Sequence, residues 1–239
     1  MKQHEAVVEA MRRNGGYATL ATLYREATKV PGAHWGTRTP FASIRRIVQT
    51  RPEFFRIRPG LWGLVELRAE VEKALNAGQP GTAAQAEFDH TYYQGLAVEL
   101  GNSRGCETTV PRQDANKRFL GKRLSEICSL DGCYDFSYPA LVRRAGTVDV
   151  VWFNERRLPA AFIEIEFTTD FSNSLTKFVD FQDFRTKFAV VADAARKNQW
   201  QHRMQYSAYA PIRDCVRFVD FENLALMHAA ARATANGGL

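Results

Sequence analysis

The 239-residue sequence holds only four cysteines, Cys106, Cys128, Cys133 and Cys215, and none forms a Cys-x2-Cys pair or stands beside a histidine at zinc-binding spacing. They read as free thiols in a reducing compartment, not as a disulfide framework or a zinc site. No apolar run approaches the roughly 18 residues that a membrane-spanning helix needs. No basic-then-apolar leader opens the sequence either, so a cytoplasmic protein without a membrane partner is expected. Internal repeats and long low-complexity tracts are missing too. What remains, 45% hydrophobic and 12% aromatic, is the composition of a globular protein with room for two small domains.

Acidic residues are scarce at one end only. Residues 1–66 carry 11 Lys and Arg against 5 Asp and Glu, whereas the remainder carries 21 of each, so the whole net charge of +6 belongs to the first stretch. That asymmetry suits a module that docks on a polyanion. A basic face kept for solubility is the alternative.

Within that stretch, Ala6, Val7, Ala10 and Met11 recur at helical spacing until Asn14-Gly15-Gly16 stops them. A second helix is predicted over 19–29, with Leu20, Leu23, Tyr24 and Ala27 on one face. Thr39 is an N-cap with Pro40 at the first helical position. The helix that follows, 41–50, would bury Phe41, Ile44, Ile47 and Val48 and expose Ser43, Arg45, Arg46 and Gln49. Residues 54–58 and 61–65 flank Pro59-Gly60 and read as a β-hairpin. Three helices and a terminal hairpin make a winged helix-turn-helix.

The ending F-x-R-x-x-P-G-x-W-G-L, residues 54–64, resembles the HARE-HTH module found fused to chromatin factors and restriction-type nucleases. The resemblance spans about residues 2–66. It implies a DNA-binding domain whose third helix enters a groove with Ser43, Arg45 and Arg46, preceded by Arg38 in the loop, while Arg56 and Arg58 on the wing hold phosphates. A winged helix used for protein contacts is the alternative. Trp35 and Trp62 read as core. We place the first domain at 1–66 and the second at 87–239. The linker between them, 67–86, begins with a helical pattern over 67–76 and ends in the Gly- and Pro-containing run 77–85.

The second domain is organised around residues 147–180. Val148, Val150 and Trp152 alternate with Asp149, Val151 and Phe153, an almost wholly apolar strand that ends in the polar turn Asn154-Glu155-Arg156-Arg157. The apolar run resumes over 160–167. There, period-2 alternation sets Glu164 and Glu166 on one face and Ile163, Ile165 and Phe167 on the other. If the two strands form a hairpin, Asp149 lies across from the glutamate pair. Carboxylates in an apolar sheet repel one another and are costly to desolvate, so a cation is expected beside them. An all-oxygen donor set favours Mg²⁺ or Mn²⁺. A solvated strand face is the alternative.

The pattern D-x14-E-x-E resembles the PD-(D/E)xK, or restriction-endonuclease-like, nuclease superfamily in a variant with glutamate in the lysine position. The resemblance covers about residues 88–228. It implies that Asp149 and Glu164 bind metal, that Glu166 stands where a lysine is usual, and that Glu99, near the end of a preceding helix, completes the metal shell. Thr168 and Thr169 after the E-x-E, and the run Ser174-x-x-Lys177-Phe178-x-Asp180, are similar to a subset of these enzymes with an E-x-E-x-T signature. The surrounding pattern is a helix from Phe88 to about Gly101, a short strand over 106–110, the hairpin, a crossover helix over 172–184 and a strand over 188–192. A helix over 194–206, a strand over 215–219 and a helix over 221–232 close it. Residues 115–129 read as a helix-like segment whose Lys117, Arg118, Lys122 and Arg123 line a DNA cleft or a solvated face.

The expected protein is therefore α/β: a winged helix-turn-helix followed by a restriction-endonuclease-like mixed sheet flanked by helices. Its expected activity is that of a metal-dependent endonuclease of restriction or host-defence type acting on double-stranded DNA. Two alternatives stand beside it, a non-catalytic DNA-binding regulator on a degenerate nuclease fold and a protein-interaction adaptor. A monomer and a homodimer both remain open.

Overall fold

The computed structural model describes residues 1–36, 39–75, 81–168 and 170–235, with the side chains of 233–235 left aside. The chain divides into two compact units, one formed by Met1–Gln85 with Ala225–Leu239 and the other by Ala86–Leu224. Among the described residues no helix is long and apolar enough to cross a membrane.

In the first unit the helix α1 (Gln3–Arg13) buries Ala6, Val7, Ala10 and Met11, as the spacing predicts. A strand not foreseen from the sequence, β1 (Tyr17–Thr19), follows it. The helix α2 (Leu20–Glu26) is therefore shorter than predicted, and Thr19 caps it by accepting the Thr22 amide at 3.2 Å. The third helix, α3 (Pro40–Thr50), starts on Pro40 and buries Ile44 and Val48, but Phe41 stays 38% exposed and stacks on Tyr24 instead of entering the core. Strands β2 (Phe54–Arg58) and β3 (Leu61–Leu64) pair antiparallel across Pro59-Gly60, where Gly60 takes φ 79°, a conformation that favours glycine. The sheet order is β1-β3-β2, all antiparallel, and Trp62 lies in the core with Leu23, Ile44 and Leu64. A further helix, α4 (Arg68–Leu75), occupies the first part of the predicted linker.

The second unit opens on α5 (Ala83–Ser103), whose first turn reaches back into the predicted linker. Its central sheet has five strands in the order β10-β9-β8-β7-β4. The strands are β4 (Glu107–Thr109), β7 (Val150–Phe153), β8 (Pro159–Glu166), β9 (Lys187–Ala192) and β10 (Val216–Asp220). Pairings β4–β7 and β7–β8 are antiparallel and β8–β9 and β9–β10 parallel, so the sheet is mixed. The parallel step from β8 to β9 is bridged by α8 (Ser172–Val179), the expected crossover helix. One face of the sheet packs an aromatic core of Phe153, Phe162, Phe178, Phe181 and Phe188, with Phe162 stacked on Phe181 at 4.2 Å. Burying such side chains contributes about 2–3 kcal/mol each before entropy is counted. The other face meets α5, where Gly101 lies against Trp152 and the Trp152 indole donates to the Ala97 carbonyl at 3.1 Å.

One expectation fails between β4 and β7. Residues 115–129 are not helical: they form a small hairpin, β5 (Arg118–Phe119) and β6 (Lys122–Arg123), then the single turn α6 (Leu124–Ile127). The reason is local. Leu120 and Gly121 take φ of 48° and 93°, a turn that no right-handed helix can pass through. After α7 (Pro139–Ala145) and the strands already given, α9 (Lys197–Met204) and α10 (Phe221–Ala235) complete the chain.

Candidate active site

The pleat of β8 does what its alternation predicts, with Glu164 and Glu166 on the face turned to α8, 3% and 5% exposed. That helix answers them with two side chains one turn apart. Ser174 Oγ donates to Glu164 Oε2 at 3.1 Å and also hydrogen-bonds Glu166 Oε1. Lys177 Nζ donates to both oxygens of Glu164, at 2.8 and 2.9 Å, and to the Thr147 carbonyl at 2.8 Å. The i, i+3 spacing of Ser174 and Lys177 puts both on one helix face.

Asp149 stands just before β7. Its Oδ2 accepts the Ile165 amide at 2.7 Å, which fixes it beside the residue that separates the two glutamates, and takes a contact from His90 Nε2 at 3.3 Å. From α5, Gln94 donates one amide hydrogen to the Asp149 carbonyl at 2.7 Å and the other to Asp114 Oδ2 at 3.1 Å. Asp114, itself buried, is paired with Lys117 Nζ at 2.6 Å. Among the described residues, His90 Nδ1 and Gln94 Oε1 are buried without a hydrogen-bond partner. Each such atom costs about 1–3 kcal/mol, so this face of α5 is not arranged for stability alone.

The electrostatics follow from this geometry. Burial pushes the Glu164 carboxyl up to about 7, and the charge of Asp149 pushes in the same direction; Lys177 and Ser174 oppose them without winning. For His90, burial acts downward, but the hydrogen bond and charge of Asp149, helped by Asp114, outweigh it and raise the imidazole above its usual value. The pocket therefore holds more negative charge than its one buried ammonium neutralises.

Of the residues expected from the sequence, the structure brings Asp149, just before β7, beside the stretch of β8 that carries Glu164 and Glu166. The α5 side chains that reach Asp149 are His90 and Gln94, while Glu99 lies about 140° round the helix from Gln94 at 3.6 residues per turn. Arg45 and Ser43 are half-buried on α3, Arg46 and Arg56 are exposed, and Arg58 turns a guanidinium hydrogen to the Ile57 carbonyl at 2.6 Å. Arg38 and Thr169 lie outside the described residues. Sequence reasoning missed His90 and Asp114 altogether and gave Lys177 no role in the site. The i, i+4 pair His90–Gln94 on one helical face was the available signal.

Can these residues hold a cation? Among the described residues no three or more His, Cys, Asp or Glu side chains converge closely enough to hold an ion unaided. The donor chemistry nevertheless fits a hard divalent ion: Asp149 and Glu164 offer carboxylate oxygens on adjacent strands, in surplus over positive charge, and Mg²⁺ normally fills the rest of its shell with water and phosphate oxygen.

A mixed five-stranded sheet with helices on both faces, two buried glutamates on β8 and an aspartate at the head of the adjacent β7, is an α/β nuclease-like fold. Residues 72–236, well over half of the chain, match the type II restriction enzyme NmeDI C-terminal domain family, and the chain belongs to that family. It is thus a restriction-endonuclease-related protein, and DNA is the substrate that membership implies. Comparison with curated proteins and with solved structures gives no match.

Proposed function

We propose that the protein is a metal-dependent DNA endonuclease of restriction or host-defence type, a D…E-x-E member of the PD-(D/E)xK superfamily. One observation carries the reading: Asp149 and Glu164 sit side by side on antiparallel strands, with the Lys177 ammonium on Glu164, in a chain of a restriction-enzyme family. Asp149 and Glu164, with Glu166 beside them, are the residues that would hold Mg²⁺ or Mn²⁺; Glu99 remains the fourth ligand suggested by resemblance. A bound ion supplies neutralisation of the charge that builds on the scissile phosphate.

The chain's own groups supply the rest. Lys177, brought from α8 and fixed by Glu164 and the Thr147 carbonyl, takes the place of the lysine missing at position 166: it presents an ammonium where phosphate charge accumulates. Glu166 accepts a proton from the attacking water, with Ser174 holding its carboxylate in place. His90 and Gln94 orient Asp149 through its side chain and its carbonyl. The glutamate at 166 is the feature that favours a non-catalytic regulator, and an ammonium delivered from Lys177 weighs against that alternative.

For the first unit we propose a HARE-HTH-like winged helix that binds double-stranded DNA through Arg38, Ser43, Arg45, Arg46, Arg56 and Arg58. The charge of +6 confined to residues 1–66 and the three-helix, three-strand arrangement support it. The domain limits 1–66, 67–86 and 87–239 are kept as part of this proposal. The test is incubation of the full chain with modified and unmodified plasmid DNA and Mg²⁺ or Mn²⁺. Cleavage that Asp149→Asn abolishes supports the reading. Tight DNA binding with no nicking of any substrate would install the regulator in its place.

A further inference from the structure

The hairpin over 117–123 reads Lys-Arg-Phe-Leu-Gly-Lys-Arg, four cations in seven residues. Its strand register sets Arg118 directly opposite Arg123, and Phe119 opposite Lys122. Like charges facing each other across a strand pair are destabilising. Leu120 adds strain, since φ 48° disfavours a residue with a Cβ. Among the described residues, Lys117 is the one of the four whose side chain is held at close range by a carboxylate, that of buried Asp114; Glu126 accepts the Arg123 backbone amide at 2.6 Å, but the Arg123 guanidinium comes no closer to it than 3.8 Å. Arg118 spends one guanidinium nitrogen on the Gly121 carbonyl, 2.8 Å away, which holds the turn, and Lys122 is exposed with no ion pair among the described residues. A two-stranded ribbon this short does not hold itself together, least of all with its charges opposed.

It is held from below. Phe119 is 5% exposed, stacks on Tyr92 of α5 at 6.0 Å and covers Gly95 so closely that a Cβ there would meet the ring at 2.2 Å. Leu124, fully buried, donates its amide to the Lys117 carbonyl at 2.9 Å and ties the far end. The chain Lys117–Asp114–Gln94 then ends on the Asp149 carbonyl. An exposed, self-repelling cationic tip is thus bolted to the same helix that positions Asp149.

We propose that this hairpin is a phosphate clamp that grips the DNA backbone beside the cleavage site through Arg118, Lys122 and Arg123. A polyanion relieves the Arg118–Arg123 repulsion, and the rigid anchor converts grip into placement of the strand at Asp149. The contact is to phosphates, so it is indifferent to sequence. The inference rests on the reading that DNA is the substrate.

The test measures affinity of the full chain in EDTA, where no cleavage occurs, for random-sequence duplexes over a range of salt concentrations. It compares wild type, Lys122→Ala/Arg123→Ala and an equal loss of charge at exposed positions elsewhere, Arg156→Ala/Arg185→Ala. With each lost phosphate contact removing about 0.9 from the slope of log K against log salt, the hairpin variant should lose nearly 2 from the slope and bind tens of times more weakly at about 0.1 M salt. The control should change little. A hairpin variant with the wild-type slope, or a loss equal to the control's, overturns the clamp and leaves the nuclease reading standing. Wild type that binds no duplex at low salt overturns both.

Discussion

Lys177→Met is the most informative single substitution, because the structure fixes how its cost must vary with pH. Lys177 and Glu164 are an ion pair with side chains 11% and 4% exposed. Glu164 has a carboxyl raised to about 7 against an ordinary value of 4.5. A raised acid binds a proton in the folded chain that the unfolded chain has released, so folding loses stability as pH climbs from about 4.5 to about 7 and is level above that. Removing the ammonium takes away what kept the value from rising further, and burial and Asp149 then push it higher. Below about pH 7, Glu164 is protonated in both proteins and the substitution costs the Lys177 hydrogen bonds to the Thr147 carbonyl and to the neutral Glu164 carboxyl with their associated packing, about 1–3 kcal/mol for each group left unpaired. Above it, wild type stops losing stability while the variant continues to lose it, at about 1.4 kcal/mol per pH unit.

The assay is urea unfolding of both proteins at pH 6, 7, 8 and 9 in EDTA. Their stability difference should be flat to about pH 7 and then widen, at up to about 1.4 kcal/mol per pH unit, until the variant's own carboxyl ionises. Adding Glu164→Gln to the variant should abolish the widening. A difference that stays constant from pH 6 to 9 would falsify the buried pair, and with it the placement of Lys177 in the site.

Other outcomes follow from the same geometry. Asp149→Asn and Glu164→Gln should each abolish Mg²⁺- or Mn²⁺-dependent cleavage with circular dichroism unchanged, and plasmid nicking that survives either removes the assignment. Gly95→Ala should destabilise the chain by about 1–3 kcal/mol in thermal or urea unfolding, since its Cβ would stand 2.2 Å from the Phe119 ring; an unaltered midpoint would show that the hairpin is not anchored there. Arg45→Ala and Arg46→Ala should weaken binding to the preferred sequence by about 1–3 kcal/mol each, whereas Arg56→Ala and Arg58→Ala should weaken all duplexes alike. Equal losses on specific and random DNA from all four would place α3 outside base reading.

What was legible in the sequence was whatever local period decides. The β7–β8 pair, the same-face glutamates, the crossover helix and the succession α5, β4, β7, β8, α8, β9, α9, β10, α10 follow from alternation and helical spacing within single segments, whereas α7 (Pro139–Ala145) went unread. The hairpin over 117–123 was not legible, because its stability comes from Phe119 packing on Tyr92 and Gly95, residues about 25 positions away in the chain. Strand β1 was hidden for a similar reason: three residues have no period, and Tyr17–Thr19 becomes a strand only by pairing with Gly63, Trp62 and Leu61. His90 carried a signal, at i, i+4 to Gln94, but nothing in its own helix identifies Asp149 as the acceptor.

The lysine shows the same limit at the site itself. A motif read along one strand can look for an amine only at the next same-face position, and there it meets Glu166. A site, however, is defined by what reaches a point in space. Glu164 points at α8, and so does every second residue of β8. A helix crossing over that face can deliver a side chain to the point as well as the strand can, and Lys177, three residues after Ser174, is placed to do so. In the proposed nuclease site, an amine arriving from the helix would release position 166 for a group that accepts protons. The same arrangement also explains why Glu164 and Glu166 share Ser174: with the cation committed to Glu164, a hydroxyl is the neutral donor that can keep the second carboxylate close without competing for the charge.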